Sequence, residues 1–193
     1  MIFPTAYFPS IYYVRELCTY RNVVIDLHEH WIKQSIRNRC EILTAEGIHK
    51  LIVPITHREQ KQSIGEITVC HDSSWEIKHW RAIQSAYGKA PYFEAYSREI
   101  ESILLNRPSS LWKLNQELLS LIIDAWDLPV RVEYTNEFKP YTEKDLRLAQ
   151  WIERKEFNSY QQVFSYNKPF SSNLSALDLL FCEGPMGRLY IMD

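Results

Sequence analysis

The stretch MIFPTAYFPSIYYVRELCTYRNVVIDL, residues 1–27, decides the fold. Its first eight residues are typical of a short strand, and Ser10 after Pro9 is a candidate N-cap for a helix. Apolar residues follow at helical spacing: Ile11, Val14, Leu17 and Cys18. The β-branched run at residues 23–27 is typical of a buried strand. Strand, helix and buried strand in this order predict a βαβ unit with two adjacent, parallel strands.

Further strands are predicted after this unit. Residues 37–44 and 48–55 are separated by Ala45-Glu46-Gly47, a short loop with the glycine that a hairpin favours. Residues 65–70 are typical of another short strand. The sequence therefore predicts a β-rich part over about residues 1–72.

The middle of the chain changes to helical patterns. Ser73 and Glu76 form a capping-box pattern before a helix that we expect to end near Tyr87. Two more helices are predicted, one at about residues 91–105 and one that follows Pro108-Ser109-Ser110 and ends before Pro129. These three helices form a helical part over about residues 73–128.

The last third of the chain is predicted to return to the sheet. A strand is expected at residues 130–135, and a helix from Thr142, with Asp145 in a capping pattern, to about residue 155. We expect Ser175 to cap a short helix in which Asp178 completes the capping pattern and Leu177, Leu180 and Phe181 enter the core. The alternative for Asp178 is a catalytic or ligand-binding carboxylate. With this return at about 129–193, the sequence predicts a single mixed α/β domain over residues 1–193.

Composition excludes several classes of function. The net charge of −2 and pI near 6.3 argue against a nucleic-acid-binding surface, which normally makes a domain basic. The chain carries no P-loop and no G-x-G-x-x-G motif, and only 5 glycines, so no cofactor is predicted. No signal peptide and no apolar run long enough to cross a membrane are visible. We therefore expect a cytoplasmic protein without a membrane span.

The four cysteines are widely spaced and show no C-x-x-C motif. Their neighbours are largely apolar, which is typical of buried, reduced thiols. We expect neither a disulfide nor a metal site from Cys18, Cys40, Cys70 and Cys182.

Basic residues follow the second predicted strand closely. In open α/β sheets, ligands bind beyond the carboxyl ends of strands, where a helix N-terminus also attracts anions. Alternation along a strand at 37–44 would place Arg37 and Arg39 on one face and bury Asn38 on the other. The predicted anion-binding residues are Tyr7, Ser10, Lys33, Arg37, Asn38 and Arg39. The alternative is a solvated strand face with a ladder of Arg and Glu side chains.

His28 and His30 lie two residues apart at the end of the second strand. Imidazole titrates near neutral pH, so both are candidate catalytic acid–base groups. The same spacing could begin a metal site, but no third ligand follows at a diagnostic spacing, and we predict no metal.

Short motifs from Tyr7 to Pro185 resemble one family. In chain order they are Tyr7-Phe8-Pro9, Lys33-Gln34-Ser35 with Arg37-Asn38-Arg39, residues 51–54, Ala86-Tyr87-Gly88 with Pro91-Tyr92-Phe93, Gln162-Val163-Phe164, and residues 174–181 with Gly184-Pro185. Together they resemble the WbqC-like family, whose members are associated with surface-polysaccharide gene clusters, including O-antigen. The resemblance implies a transferase acting on an anionic small molecule or a sugar-linked substrate. The alternative is a non-catalytic binding or assembly protein that uses the same cationic pocket.

Overall fold

The predicted βαβ unit is present. A computed structural model describes residues 1–56, 62–142, 145–149, 151 and 157–192. Strand β1 (Ile2–Phe3) leads through helix α1 (Ile11–Tyr20) to strand β2 (Asn22–Ile25), which lies parallel to β1. Strand β7 (Arg131–Tyr134) pairs in parallel with the other edge of β2, giving the order β1-β2-β7. The prediction of a mixed α/β fold whose first two strands are parallel and adjacent is confirmed.

The predicted hairpin is also present but shorter. Strand β3 (Arg39–Thr44) pairs antiparallel with β4 (Gly47–Ile52), and Glu41 lies directly opposite Lys50. The extended segment beyond β4 is broken at Pro54, and β5 (Ile55–Thr56) pairs instead with β6 (Thr68–Val69). A short 3-10 helix, Ile64–Glu66, occupies the start of the strand predicted at residues 65–70.

Helices dominate the middle and the end of the chain. They are α2 (Trp75–Tyr87), α3 (Phe93–Leu105), α4 (Leu111–Ala125), α5 (Ala176–Glu183) and α6 (Gly187–Met192). The three helices predicted in the middle of the chain are confirmed, but the cap of α2 is not the predicted one. Its N-cap is Ser74, which has φ 50° and makes no capping side-chain bond. Glu76 instead pairs with His71.

The helix predicted from Thr142 to about residue 155 is not found in the described part of that segment. Residues 145–149 form a bridge and turns, while 143–144, 150 and 152–156 lie outside the described residues. The N–H of Leu146 donates to the Ile2 carbonyl at 3.0 Å, so this segment extends the edge of β1. The Asp145 carboxylate accepts hydrogen bonds from Arg147 instead of capping a helix.

Helix α5 crosses the main hydrophobic cluster, which includes residues as distant in sequence as Tyr7 and Ile191. The predicted core residues Leu177, Leu180 and Phe181 are fully buried. Ser175 caps the helix as predicted, since its hydroxyl accepts a hydrogen bond from the Leu177 N–H. Nearly every side chain of α5 is buried, so its amphipathic pattern is weak.

All four cysteines lie in the described part of the chain and are unpaired. Cys18, Cys40 and Cys182 are buried, whereas Cys70 is partly exposed, contrary to the prediction that all four are buried. Burial raises the pKa of Cys18 to about 11, so this thiol stays protonated at neutral pH. In the parts of the chain that the structure describes, no helix has both the length and the apolar character needed to cross a membrane.

Candidate functional site

A small pocket with a cavity volume of about 30 Å³ lies where three distant parts of the chain meet. We call it the Arg39 pocket. It is lined by residues 7–10, Ile36, residues 39–41, Lys50, Asn173 and Ser175. The walls are therefore the turn between β1 and α1, the β3–β4 hairpin and the segment that enters α5.

Arg39 supplies the cationic group of this pocket. It is the first residue of β3, is partly exposed, and forms no ion pair among the described residues. Its Nε atom is buried and has no hydrogen-bond partner in the part of the chain that the structure describes. A buried guanidinium donor without a partner costs free energy, which an incoming anion would recover. Glu41 and Lys50, paired across the hairpin at 3.5 Å, line the same pocket.

A second, more open cavity of about 360 Å³ shares Arg39 with the pocket. We call it the Trp31 depression. Its lining residues are Trp31, Lys33, Gln34, Arg39 and Ile55. Lys33 is exposed, and Trp31 is half-buried against the main hydrophobic cluster. Two cations and an aromatic ring therefore border one continuous surface centred on Arg39.

Three residues with a strained backbone line these two cavities. Seven non-glycine residues in the described part have positive φ, and three of them line the cavities: Phe8 at 39°, Gln34 at 56° and Asn173 at 53°. A bulky aromatic residue such as Phe8 rarely adopts this conformation. Such residues persist only where the surroundings hold them, and they cluster at functional sites.

The N-terminus of α1 does not offer the free N–H groups that we predicted for anion binding. The first three N–H groups of α1 all donate to other protein groups. Ile11 donates to the Leu174 carbonyl at 2.9 Å, Tyr12 to the Asn173 side chain at 2.9 Å, and Tyr13 to the Ser10 hydroxyl at 3.3 Å. Ser10 is thus the predicted N-cap, and its hydroxyl also donates to the Trp151 carbonyl. An anion in the pocket meets Arg39 rather than these helix N–H groups.

Arg37 and Arg39 do not share a strand face, which corrects the predicted geometry. Arg37 precedes β3, and its side chain is only 3% exposed. Its guanidinium makes a two-pronged contact with Glu29, with Nε to Oε1 at 2.8 Å, and donates to the Arg147 carbonyl at 3.1 Å. Asn38 is buried as predicted and donates to the Val53 carbonyl at 2.8 Å. Arg37 and Asn38 therefore hold the folded structure together beside the pocket.

The space beyond the carboxyl end of β2 is filled by a network of buried charges. Asp26 accepts hydrogen bonds from Thr135, at 2.7 Å, and from the buried guanidinium of Arg147. Arg147 also pairs with Asp145, and the Tyr141 ring lies 4.1 Å from its guanidinium carbon. The crevice that a parallel sheet commonly leaves for a ligand is therefore closed by the protein's own side chains.

His28 and His30 lie near this charge network and line neither cavity. The His28 N–H donates to Asp26 at 2.9 Å, and its side chain is partly exposed. His30 is exposed, and its ring stacks on Phe138 with centroids 6.3 Å apart. Across the described residues, no group of three or more His, Cys, Asp or Glu side chains is arranged to hold a metal ion.

With this geometry established, comparison with known proteins identifies the family. The model of the WbqC-like protein family matches residues 5–160, most of the chain. The chain belongs to the WbqC-like protein family. The match includes the N-terminal motifs and Arg39, while the motifs from Gln162 onward lie beyond it.

One relative is an uncharacterized protein, Rv1507c, from Mycobacterium tuberculosis (strain ATCC 25618 / H37Rv). It is 28% identical over 145 residues, which cover 74% of this chain and 60% of the relative. The chain thus spans about 60% of the length of this relative. No solved structure matches the chain.

Motifs of the WbqC-like chain that are far apart in sequence meet at the Arg39 pocket. The Ser175 N–H donates to the Glu41 carbonyl at 2.8 Å, and the Ala176 N–H donates to the Pro9 carbonyl at 2.8 Å. These two bonds join the N-terminal turn and the β3–β4 hairpin to the start of α5. The pocket therefore exists only in the folded chain.

His79 is a buried partner of the pocket residue Tyr7 that the sequence analysis missed. Tyr7 is fully buried, and its hydroxyl is hydrogen-bonded to Nδ1 of His79 at 2.8 Å. Burial lowers the pKa of His79 to about 4, against a hydrogen bond to the Ile52 backbone, so the ring is neutral near pH 7. The helical spacing of α2 placed His79 on a core face, but no local signal indicated Tyr7 as its partner.

Asp178 does not cap its own helix, contrary to the preferred interpretation of its motif. Its carboxylate accepts hydrogen bonds from the Tyr160 hydroxyl at 2.6 Å and from Gln162 Nε2 at 2.8 Å. Gln162 also bonds both the N–H and the carbonyl of Ser171. Burial raises the pKa of Asp178, while these partners oppose the shift. The cluster ties the segment before α5 to the core and does not line the Arg39 pocket.

Proposed function

We propose that this WbqC-like protein binds a phosphate- or carboxylate-bearing, sugar-linked small molecule at Arg39. The observation that carries the proposal is the partly exposed residue Arg39 at the junction of two cavities, whose buried Nε has no hydrogen-bond partner among residues 1–56, 62–142, 145–149, 151 and 157–192. Guanidinium groups form strong, charge-assisted hydrogen bonds to phosphate and carboxylate oxygens. Lys33 adds positive charge on one side of the site, whereas Lys50 on the other side is paired with Glu41.

Comparison with Arg37 supports this choice of residue. Arg37 is buried and forms an ion pair with Glu29, so its charge is already neutralised within the fold. Arg39 has no such partner in the described part of the chain, and residues with strained backbone surround it. A charged group kept without a partner beside such strain is typical of a binding site rather than of a packing position.

Membership of the family suggests the biological setting. We propose a role in surface-polysaccharide biosynthesis of the O-antigen type, in which sugar-linked anions are the usual building blocks. A transferase reaction would add a proton-transfer step, for which His28 and His30 remain the candidates. A non-catalytic binding protein is the second candidate function, and it is favoured by the position of both histidines outside the two cavities.

Titration calorimetry with glucose 1-phosphate tests the binding proposal. Arg39→Gln should weaken binding roughly tenfold or more, since hydrogen bonds to charged groups contribute about 1.5–3 kcal/mol. Arg98→Gln, an exposed arginine on α3, is the matched control and should leave the affinity unchanged. Equal weakening by both variants, or no binding of glucose 1-phosphate by the wild-type protein, would contradict the proposal.

A separate assay distinguishes transfer from simple binding. Purified protein is incubated with sugar nucleotides and candidate acceptors, and the mixture is analysed by mass spectrometry. If a donor is consumed and its consumption requires Arg39, the protein is a transferase. The variants His28→Gln and His30→Gln then test the proton-transfer step. Unchanged donors, together with a small molecule released from the denatured protein, support the binding function.

A further inference from the structure

The two cavities at Arg39 differ in a way that indicates the shape of the ligand. The Arg39 pocket is small, with a cavity volume of about 30 Å³, and the Trp31 depression is wider and more open, at about 360 Å³. Because Arg39 borders both, an anionic group bound to its guanidinium lies between a pocket with room for only a small group and a cavity that accommodates a larger part of a ligand. The larger part of the ligand therefore lies in the Trp31 depression.

The charges in the Trp31 depression favour a diphosphate over a single phosphate. Lys33 and Arg39 both line it, and Lys33 is exposed with no ion pair among the described residues. The pair Glu41–Lys50 lies on the other side, in the Arg39 pocket, where its charges largely balance. Two uncompensated cations on one surface match an anion that spreads its charge over two phosphate groups.

Trp31 supplies the remaining feature of the depression. Its ring packs partly against the main hydrophobic cluster, and its backbone N–H donates to the Gln62 carbonyl at 2.9 Å. These contacts hold the side chain in position while part of it stays accessible beside the two cations. Nucleobases stack favourably on aromatic side chains, and the interaction tolerates any base because every base has a π-face.

We propose that the Trp31 depression binds the nucleoside diphosphate part of a sugar nucleotide, with the base against Trp31 and the diphosphate on Lys33 and Arg39. This inference rests on the proposed function, because both require Arg39 to bind the anion. It goes further in naming the part of the ligand that the open cavity recognises.

The test compares the binding of UDP, ADP and inorganic pyrophosphate to the full chain by calorimetry. UDP or ADP should bind about tenfold more tightly than pyrophosphate, because the base adds a stacking contact. Trp31→Leu should remove this preference while leaving pyrophosphate affinity within about twofold. Lys33→Gln should weaken all three ligands, whereas Lys113→Gln, on the outer face of α4, should weaken none.

Fluorescence gives a second readout that does not require the Trp31→Leu variant to fold. A base stacked on Trp31 should quench indole emission, and the conservative Trp31→Phe variant should bind UDP but lose that part of the quenching. The chain has 6 tryptophans, so the difference between wild type and this variant isolates the signal of Trp31.

The outcomes separate the two proposals. If glucose 1-phosphate binds in an Arg39-dependent manner but neither nucleoside diphosphate exceeds pyrophosphate, the sugar-nucleotide inference is wrong and the proposed function stands. If UDP and ADP bind more tightly than pyrophosphate, and Trp31→Leu still binds them in full preference to pyrophosphate, the base lies elsewhere and the inference is likewise overturned. If no phosphate compound binds at all, both proposals fail.

Discussion

Replacing His79 by Asn should reduce the dependence of stability on pH. The wild-type imidazole lies buried beside the Tyr7 hydroxyl, and burial lowers its pKa from 6.5 to about 4. Unfolding exposes the ring and restores its ordinary pKa, so between these two pKa values the unfolded chain binds a proton that the folded chain does not bind. Stability from this group is therefore fully present above about pH 6.5 and is lost as the pH falls towards 4.

The size of the effect follows from the shift in pKa. Each pKa unit corresponds to about 1.4 kcal/mol, so His79 should account for about 2 kcal/mol of the stability lost between about pH 8 and pH 5. Glu29 acts in the opposite direction, since burial raises its pKa from 4.5 to about 7. That contribution is present in wild type and variant alike, and it cancels when the two are compared.

Urea unfolding at about pH 8 and pH 5 measures the effect. The His79→Asn variant keeps a hydrogen-bonding group near Tyr7 but has no titratable ring, so it should lose about 2 kcal/mol less than wild type between the two pH values. His30→Asn, which changes an exposed ring, should lose as much as wild type. If His79→Asn and wild type lose the same stability, His79 is not the buried neutral group described here.

Two further predictions concern stability alone. Leu180→Ala should cost about 2–5 kcal/mol in urea unfolding because the side chain is fully buried in α5. Leu148→Ala, at a residue 64% exposed, should cost less than about 0.5 kcal/mol; a cost that small at Leu180 would place α5 outside the core. Arg37→Met should cost about 3–5 kcal/mol, because it leaves the buried Glu29 carboxylate without its partner. Arg39→Gln should change stability by less than about 0.5 kcal/mol, and equal losses in both variants would show that Arg39 is also structural.

Local patterns were sufficient to predict most elements of this fold. The spacing of apolar residues located α1 and the helices of the middle part, and the β-branched run located β2. The caps at Ser10 and Ser175 were also predicted, because an N-cap depends on a side chain and N–H groups only a few residues away. Prediction was wrong where another nearby side chain competes for the capping carboxylate: Asp145 binds Arg147, two residues further on, and Glu76 pairs with His71, five residues before it.

The sequence by itself determined the βαβ unit, the buried helix α5 and the family, since these depend on periodicity and on motifs read along the chain. The sequence could not determine which of two neighbouring arginines remains available to a ligand. Arg37 and Arg39 are two residues apart, yet one is buried against Glu29 and the other opens onto two cavities. Likewise, the first N–H groups of α1 are occupied by Leu174 and Asn173, more than 150 residues away in sequence. Only tertiary structure decides such contacts, because they depend on which groups the folded chain brings within hydrogen-bonding distance.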